Sequence, residues 1–396
     1  MRLDMKSEWN TSAIANICKV VTDGSHTSPK SVSHGKYMVS VKDFTPYGFD
    51  FNGCRQISFA DYEKLKSSGC VPQKGDILIG KDGARYFEDI IIYNQDEAPA
   101  LLSSIAILRC DEEKVIPEYL YYLLKTPSFK KDVKDNYGSG SAIPRIILKD
   151  FKRMKVKYPS IEKQRQIVSI LHDLDAKIFN NQKVNDNLEQ QAAALFSSLY
   201  NRSNTEVRYT DLIQILGGGT PKTGETAYWN GNIAFFTPKD VGTPYTFITE
   251  KTITEEGLSH CNSRLYPVNT VFVTARGTVG KVGLSGVPMA MNQYCYALVG
   301  KETHQLLVYF YTLKAVDRLK HKASGAVFDA ITTRDFDSEQ IMKLSDDDAK
   351  AFLCVAEPMF QEILNNSIEN LRLSTLRDFL LPKLMSGEID VSAVQL

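Results

Sequence analysis

Most apolar residues of the chain fall in short runs, but in two places they settle into steps of four and three. The first set is Ile167, Leu171, Leu174, Ile178, Asn181, Asn185, Leu188, Ala192, Leu195 and Leu199. Such spacing marks a coiled-coil seam and predicts a helix over 161–200. Its centre, "IFNNQKVNDNL" (178–188), carries two asparagines on the seam itself. An amide there costs stability unless it finds partners. The spacing returns at Phe352, Ala356, Met359, Ile363, Asn366, Asn370, Leu373, Arg377, Leu380 and Leu384, and both asparagines return with it. A second helix is predicted over 347–385, with Ser345 or Asp346 as cap and carboxylates in its first turn. Pro159 and Ser160 make a less complete start for the first helix.

The two seams belong to a longer internal repeat. "GSAIPRIILKDF" begins at Gly140 and "GAVFDAITTRDF" at Gly325, an offset of 325 − 140 = 185 that carries through both seams without a gap. Upstream, with insertions, "SVKDF" (40–44) resembles "TPKDV" (237–241), and "KGDILIGKDG" (74–83) resembles "VNTVFVTARG" (268–277). "TSPK" ending at Lys30 corresponds to "GTPK" ending at Lys222. The chain therefore reads as a globular unit (1–158), a first spacer helix (159–200), a polar linker "NRSNTE" (201–206), a second unit (207–344) and a second spacer helix (345–388). Within the units, strands are expected at 76–80, 90–93, 104–109 and 270–274, and one helix rich in Tyr and Leu after Pro117. The fold class is α+β.

A chain of 396 residues with 43% hydrophobic and 24% charged positions is ordinary globular material. Lys plus Arg equals Asp plus Glu at 47 each, so attraction to phosphate must come from local patches or from a partner. The seven cysteines and six histidines are scattered without ligand spacing, so no metal site is expected and a reducing cytoplasm is the expected setting. "MRLDMKSEWN" has no apolar run after its charges, and no membrane span is expected.

Catalytic motifs come close and fail. "GGGTPKTGE" (217–225) lacks the Gly-Lys-Ser/Thr of a phosphate loop, because Gly224 is followed by Glu225. "ARGTVGKVG" (275–283) has Gly280-Lys281 but then Val282. There is no N-P-P-Y/F or D-P-P-Y/F run for methyl transfer to an amino group, and no G-x-S-x-G elbow. The chain is not expected to be an enzyme.

The basic, Gly-rich tips suit nucleic acid better. Gly217, Gly218 and Gly219 are expected to let backbone approach a duplex, with Thr220 and Lys222 beside them. Arg276, Thr278 and Lys281 flank the turn after strand 270–274, and Lys81, Asp82 and Arg85 occupy the matching turn of the first half. Lys30, Lys42 and Lys239 complete the candidate DNA-binding set. Any one of these lysines is equally well read as a solvated hairpin tip. Arg145, Lys149, Lys152, Arg153, Lys155 and Lys157 form a basic run against Asp150, read equally as a solvated strand or a phosphate-facing edge.

With these pieces in view, the chain resembles the DNA-specificity subunit of type I restriction–modification systems. The matching phrases are "GGGTPKTGETAYWNGNIAFFTPKDV" (217–241), "ARGTVGKVGLSGVPMAMNQYCYAL" (275–298), "PSIEKQRQI" (159–167) after "GSAIPRI", and "LRDFLLPKLMSGEI" (376–389). The likeness covers nearly the whole chain. The first half departs most, with "KDGARYFEDIII" where the family has R-G-x-x-G-K, and its half-site is unreadable. The resemblance implies two homologous target recognition domains, each reading half of a bipartite double-stranded DNA sequence. It also implies that the two helices pair as an antiparallel coiled coil that carries methyltransferase subunits, two of them, with restriction subunits joining the complex. No cofactor is expected on this chain; S-adenosylmethionine, ATP and Mg are expected in the partners. The rival reading is a stand-alone two-headed DNA-binding or scaffold protein, against which neutral charge argues.

Antiparallel pairing about a common centre sets residue i opposite residue 551 − i. Asn181 then faces Asn370 and Asn185 faces Asn366, so each amide shares its layer with another and a slipped register strands them. These four residues are expected to pin the register. The seam from 167 to 199 is roughly 50 Å long at about 1.5 Å per residue, and is expected to set the interval between half-sites.

Overall fold

The computed structural model describes residues 9–138, 144–242, 244–322 and 330–392. Gly140 and Gly325, which open the repeated phrase, lie outside them. The chain divides into two units, 1–177 with 372–396 and 178–371, so each long helix is shared between the units where the sequence had suggested four consecutive segments.

In the first unit, four antiparallel strands form the main sheet in the order Cys18–Asp23, Ile105–Cys110, Ile77–Gly80, Ile90–Ile92. The central strands are buried along their length, with Ile77, Leu78, Ile79, Ile105 and Ala106 fully enclosed, as β-branched and apolar runs between turns require. A smaller four-stranded sheet, which includes Lys36–Val39 and Gln56–Ile57, packs beside it. The expected Tyr- and Leu-rich helix is present as Pro117–Lys125 but stops at Thr126, because Pro127 excludes its predecessor from helical geometry. Thr126 then caps a second helix, Pro127–Asn136, its hydroxyl accepting from Phe129 N–H. Asn10–Ala13 pairs antiparallel with Lys155–Tyr158, in which Val156 is buried while Lys155 and Lys157 point out, so this part of the basic run is an exposed strand face.

The second unit repeats this plan. Its main sheet runs Ile213–Gly217, Cys295–Gly300, Val271–Thr274, Val282–Ser285, the same order and directions, with Tyr245–Thr246 added in parallel at the edge. The helix Gln305–Lys322 is unbroken, there being no proline where the first unit has Pro127. The linker read at 201–206 is not free. The first long helix runs on to Arg202, and Thr205–Arg208 pairs with Gln340–Lys343 as Asn10–Ala13 does with Lys155–Tyr158.

The long helices are Ile161–Arg202 and Asp346–Ser386. Ser345 caps the second, accepting from Asp348 N–H at 3.1 Å. No residue of either predicted seam is exposed. In the first unit, Ile167 and Leu171 share a core with Leu381, Leu384 and Met385, and Arg377 donates to Asp175 at 2.7 Å, the carboxylate that also accepts from Tyr122. In the second unit, Phe196, Phe310, Phe352 and Phe360 form a ring cluster with centroids 5.1–5.6 Å apart. There too lie the amide layers. Asn181 Nδ2 donates to Asn370 Oδ1 at 2.9 Å and to Glu369 Oε2 at 2.7 Å. One turn on, Asn366 Nδ2 donates to Asn185 Oδ1 at 3.0 Å, and Asn185 Nδ2 reaches Ser367 Oγ at 3.3 Å. These contacts make the pairing antiparallel.

Candidate nucleic-acid interface

Each unit builds a shallow groove from the same two pieces. One is a short turn closed by a Ser/Thr-x-x-Asp cap. In the second unit Asp240 Oδ2 accepts from Thr237 N–H and hydroxyl at 2.8 and 2.6 Å, and in the first Asp43 Oδ2 accepts from Ser40 N–H and hydroxyl at 2.7 and 3.1 Å. The residue held up by the cap is Lys239 or Lys42, both exposed. The other piece is the tip after the central strand, where Gly277 and Gly83 adopt φ of 82° and 94°, a region that suits glycine.

In the second unit the groove is lined by Pro238, Lys239, Gly277, Thr278, Asn292 and Tyr294. Arg276, Thr278 and Lys281 all face solvent at its tip, and Thr278 Oγ1 donates to Pro238 O at 3.0 Å, tying tip to turn. Lys239 reaches Glu250 at 3.4 Å, an exposed pair of small energetic weight that leaves the ammonium available. Tyr294 and Asn292 were not in the candidate set. Tyr294, 42% exposed, accepts from Ala275 and Arg276 N–H through its carbonyl and presents its ring beside the tip. The phrase "MNQYCYAL" that carries both residues held the signal.

The Gly-rich stretch 217–219 does not act as expected. A Cβ on Gly218 would come within 2.1 Å of Asn292 O, and one on Gly219 within 2.6 Å of Asn262 N, so these glycines serve close packing of the chain on itself. Only Gly217 has open space. Thr220 is half-buried and its hydroxyl bonds Gln293, while Lys222 is exposed.

In the first unit, Lys42, Asp82, Gly83, Ala84, Arg85 and Asp89 line the matching groove. Lys30 is exposed and is not among the residues that line this groove. Lys81, expected to be a solvent-facing contact, is only 6% exposed and sits 3.4 Å from both Asp23 and Asp82. Its charge is met internally, which corrects the expectation. Arg85 is exposed and pairs with Asp89 at 2.8 Å. Among the described residues no His, Cys, Asp or Glu cluster suits a metal ion, and no helix is long and apolar enough to cross a membrane.

A duplicated scaffold with one groove per copy can be set against known families. The model of the type I restriction modification DNA specificity domain matches residues 6–190 and again 201–343. The chain belongs to this family. Among curated members of the specificity family, it is 25% identical over 307 residues to the type I restriction enzyme MjaIX specificity subunit of Methanocaldococcus jannaschii, covering 71% of each chain. It is 24% identical over 406 residues to the HindI specificity subunit of Haemophilus influenzae, covering 80% of this chain and 87% of the other. In fold, it resembles the type I restriction–modification S subunit from M. genitalium, with a TM-score of 0.59 at 14% identity over 97% and 98% of the two chains.

Proposed function

We propose that this chain is the DNA-recognition subunit of a type I restriction–modification complex. Each groove-bearing domain reads one half of a bipartite duplex target, and the helix pair sets the interval and carries two methyltransferase subunits. Restriction subunits join through that assembly. Methyl transfer and cleavage, with S-adenosylmethionine, ATP and Mg, belong to the partners, and this chain supplies the address.

One observation carries the reading: the same turn, tip and groove occur twice on one backbone plan, with different side chains at the tip. A scaffold that reads two unlike sequences keeps its frame and varies its contacts, as phosphate contacts position and base-edge contacts specify. Neutral overall charge fits a subunit that relies on partners for much of its hold on phosphate.

The test is single-molecule methylation mapping with the chain co-expressed with its methyltransferase. A bipartite target with an unspecified interval is expected. Arg276→Ala and Lys281→Ala should weaken recognition of one half-site, with about 1–3 kcal/mol of discrimination lost where a bidentate arginine contact is removed, and spare the other. Unchanged rate and specificity in both variants would leave these residues merely solvated.

A further inference from the structure

The two tips repeat the same backbone hydrogen bonds and bridges and are opposite in their chemistry. In the first unit, Lys81 N–H donates to Ser104 O at 2.9 Å, Ile146 N–H donates to Lys81 O at 3.0 Å, and Asp82 bridges Arg145. In the second, Ala275 N–H donates to Tyr294 O at 2.8 Å, Ile331 N–H donates to Ala275 O at 2.9 Å, and Arg276 bridges Ala330. Each of these residues is followed by the positive-φ glycine of its tip, Gly83 or Gly277. Asp82 and Arg276 therefore occupy one position of the repeated frame, a carboxylate in one copy and a guanidinium in the other.

Their surroundings sharpen the contrast. Arg276 and Lys281 are exposed and, among the described residues, have no ion pair or side-chain hydrogen bond. In the first unit the tip's cations are engaged, Lys81 with Asp23 and Asp82, and Arg85 with Asp89. Asp82 lines the groove with its side chain 30% exposed, and spends Oδ1 on Lys81 at 3.4 Å. Oδ2 has no hydrogen bond among the described residues. A carboxylate at a DNA-facing tip is repelled by phosphate, and finds a favourable partner only in a base-edge donor. The major groove offers two such donors. Of these the cytosine amino group is the usual partner of Asp, because the adenine amino group sits beside the N7 acceptor that repels a carboxylate; Arg instead donates to guanine O6 and N7.

We infer that Asp82 and Arg276 are matched specificity-determining residues that read their half-sites with opposite hydrogen-bond polarity, Asp82 accepting from a cytosine amino group and Arg276 donating to a guanine. This rests on the reading of the chain as a DNA-recognition subunit.

The experiment uses the full complex with its methyltransferase and duplexes in which each base pair of the mapped target is varied in turn. Asp82→Ala should flatten preference at one cytosine of the first half-site, by roughly 5- to 150-fold as for one well-made base contact, and leave the second half-site as it was. Asp82→Asn, which preserves shape and so guards against misfolding, should move that preference from cytosine toward adenine, because an amide pairs with adenine N6 and N7. Arg276→Ala should flatten a guanine in the other half-site. A uniform loss across all sequences, or preferences unchanged in Asp82→Asn while the wild-type complex still reads a bipartite target, overturns the inference alone. A wild-type complex with no bipartite target overturns the underlying reading as well.

Discussion

Asn185 and Asn366 show what a buried polar residue needs in order to be tolerated. Each is 8% exposed, and Asn366 donates to Asn185 Oδ1 across the seam, so removal of Asn366 leaves that buried oxygen without its donor even though Asn185 Nδ2 keeps Ser367. Asn366→Leu alone should cost about 1–3 kcal/mol in denaturant unfolding, whereas Asn185→Leu with Asn366→Leu should regain most of it. Strictly additive losses would show that the amides act independently. These residues were legible in the sequence because a period of four and three names the seam before any coordinate does. Lys81 was not, since the carboxylate that neutralises it, Asp23, lies on a different strand and only folding brings them together. Gly218 and Gly219 misled for a related reason: a glycine permits close approach, but sequence does not say to what.

Among the elements, periodic segments were read well and short irregular ones poorly. Both long helices appear where the seams put them, and strands such as Val271–Thr274 match their apolar runs. The short pairing strands Thr205–Arg208 and Asn10–Ala13 were missed, because four polar-rich residues carry no period, and their partners are far along the chain. Where the sequence led to one helix after Pro117, Pro127 and the capping Thr126 made two. The helix pair is the element that lends itself to measurement. Adding four residues at the same layer of both helices lengthens the coil by about 6 Å, at about 1.5 Å per residue. Methylation mapping of that variant should show the interval between half-sites longer by roughly two base pairs at ~3.4 Å each, with both half-sites retained. An unaltered interval would mean that something other than the coil sets it.

For the molecule as a whole, the repeat was readable from offsets and the α+β plan from apolar runs, whereas the way the chain is shared out was not. A linear reading assigns helices to a spacer, but the core of the first unit joins Ile14, Ile17 and Ile77 to Leu381, Leu384, Met385 and Val391 from the far end of the described chain. Leu384→Ala should therefore loosen the first unit, by about 2–5 kcal/mol as for other buried leucines, and speed amide exchange in the strands around Ile77–Gly80. Exchange that quickened only in the second unit would contradict this. The same shared core imposes a delay at the ribosome. The second unit is one uninterrupted stretch, 178–371, and can fold as it emerges. The first, though begun earlier, lacks its closing helical turns until that whole stretch has been translated, roughly 10–40 s at about 5–20 residues per second. For that interval the nascent chain carries an open apolar seam, which is when a chaperone or a waiting partner subunit has most to offer it.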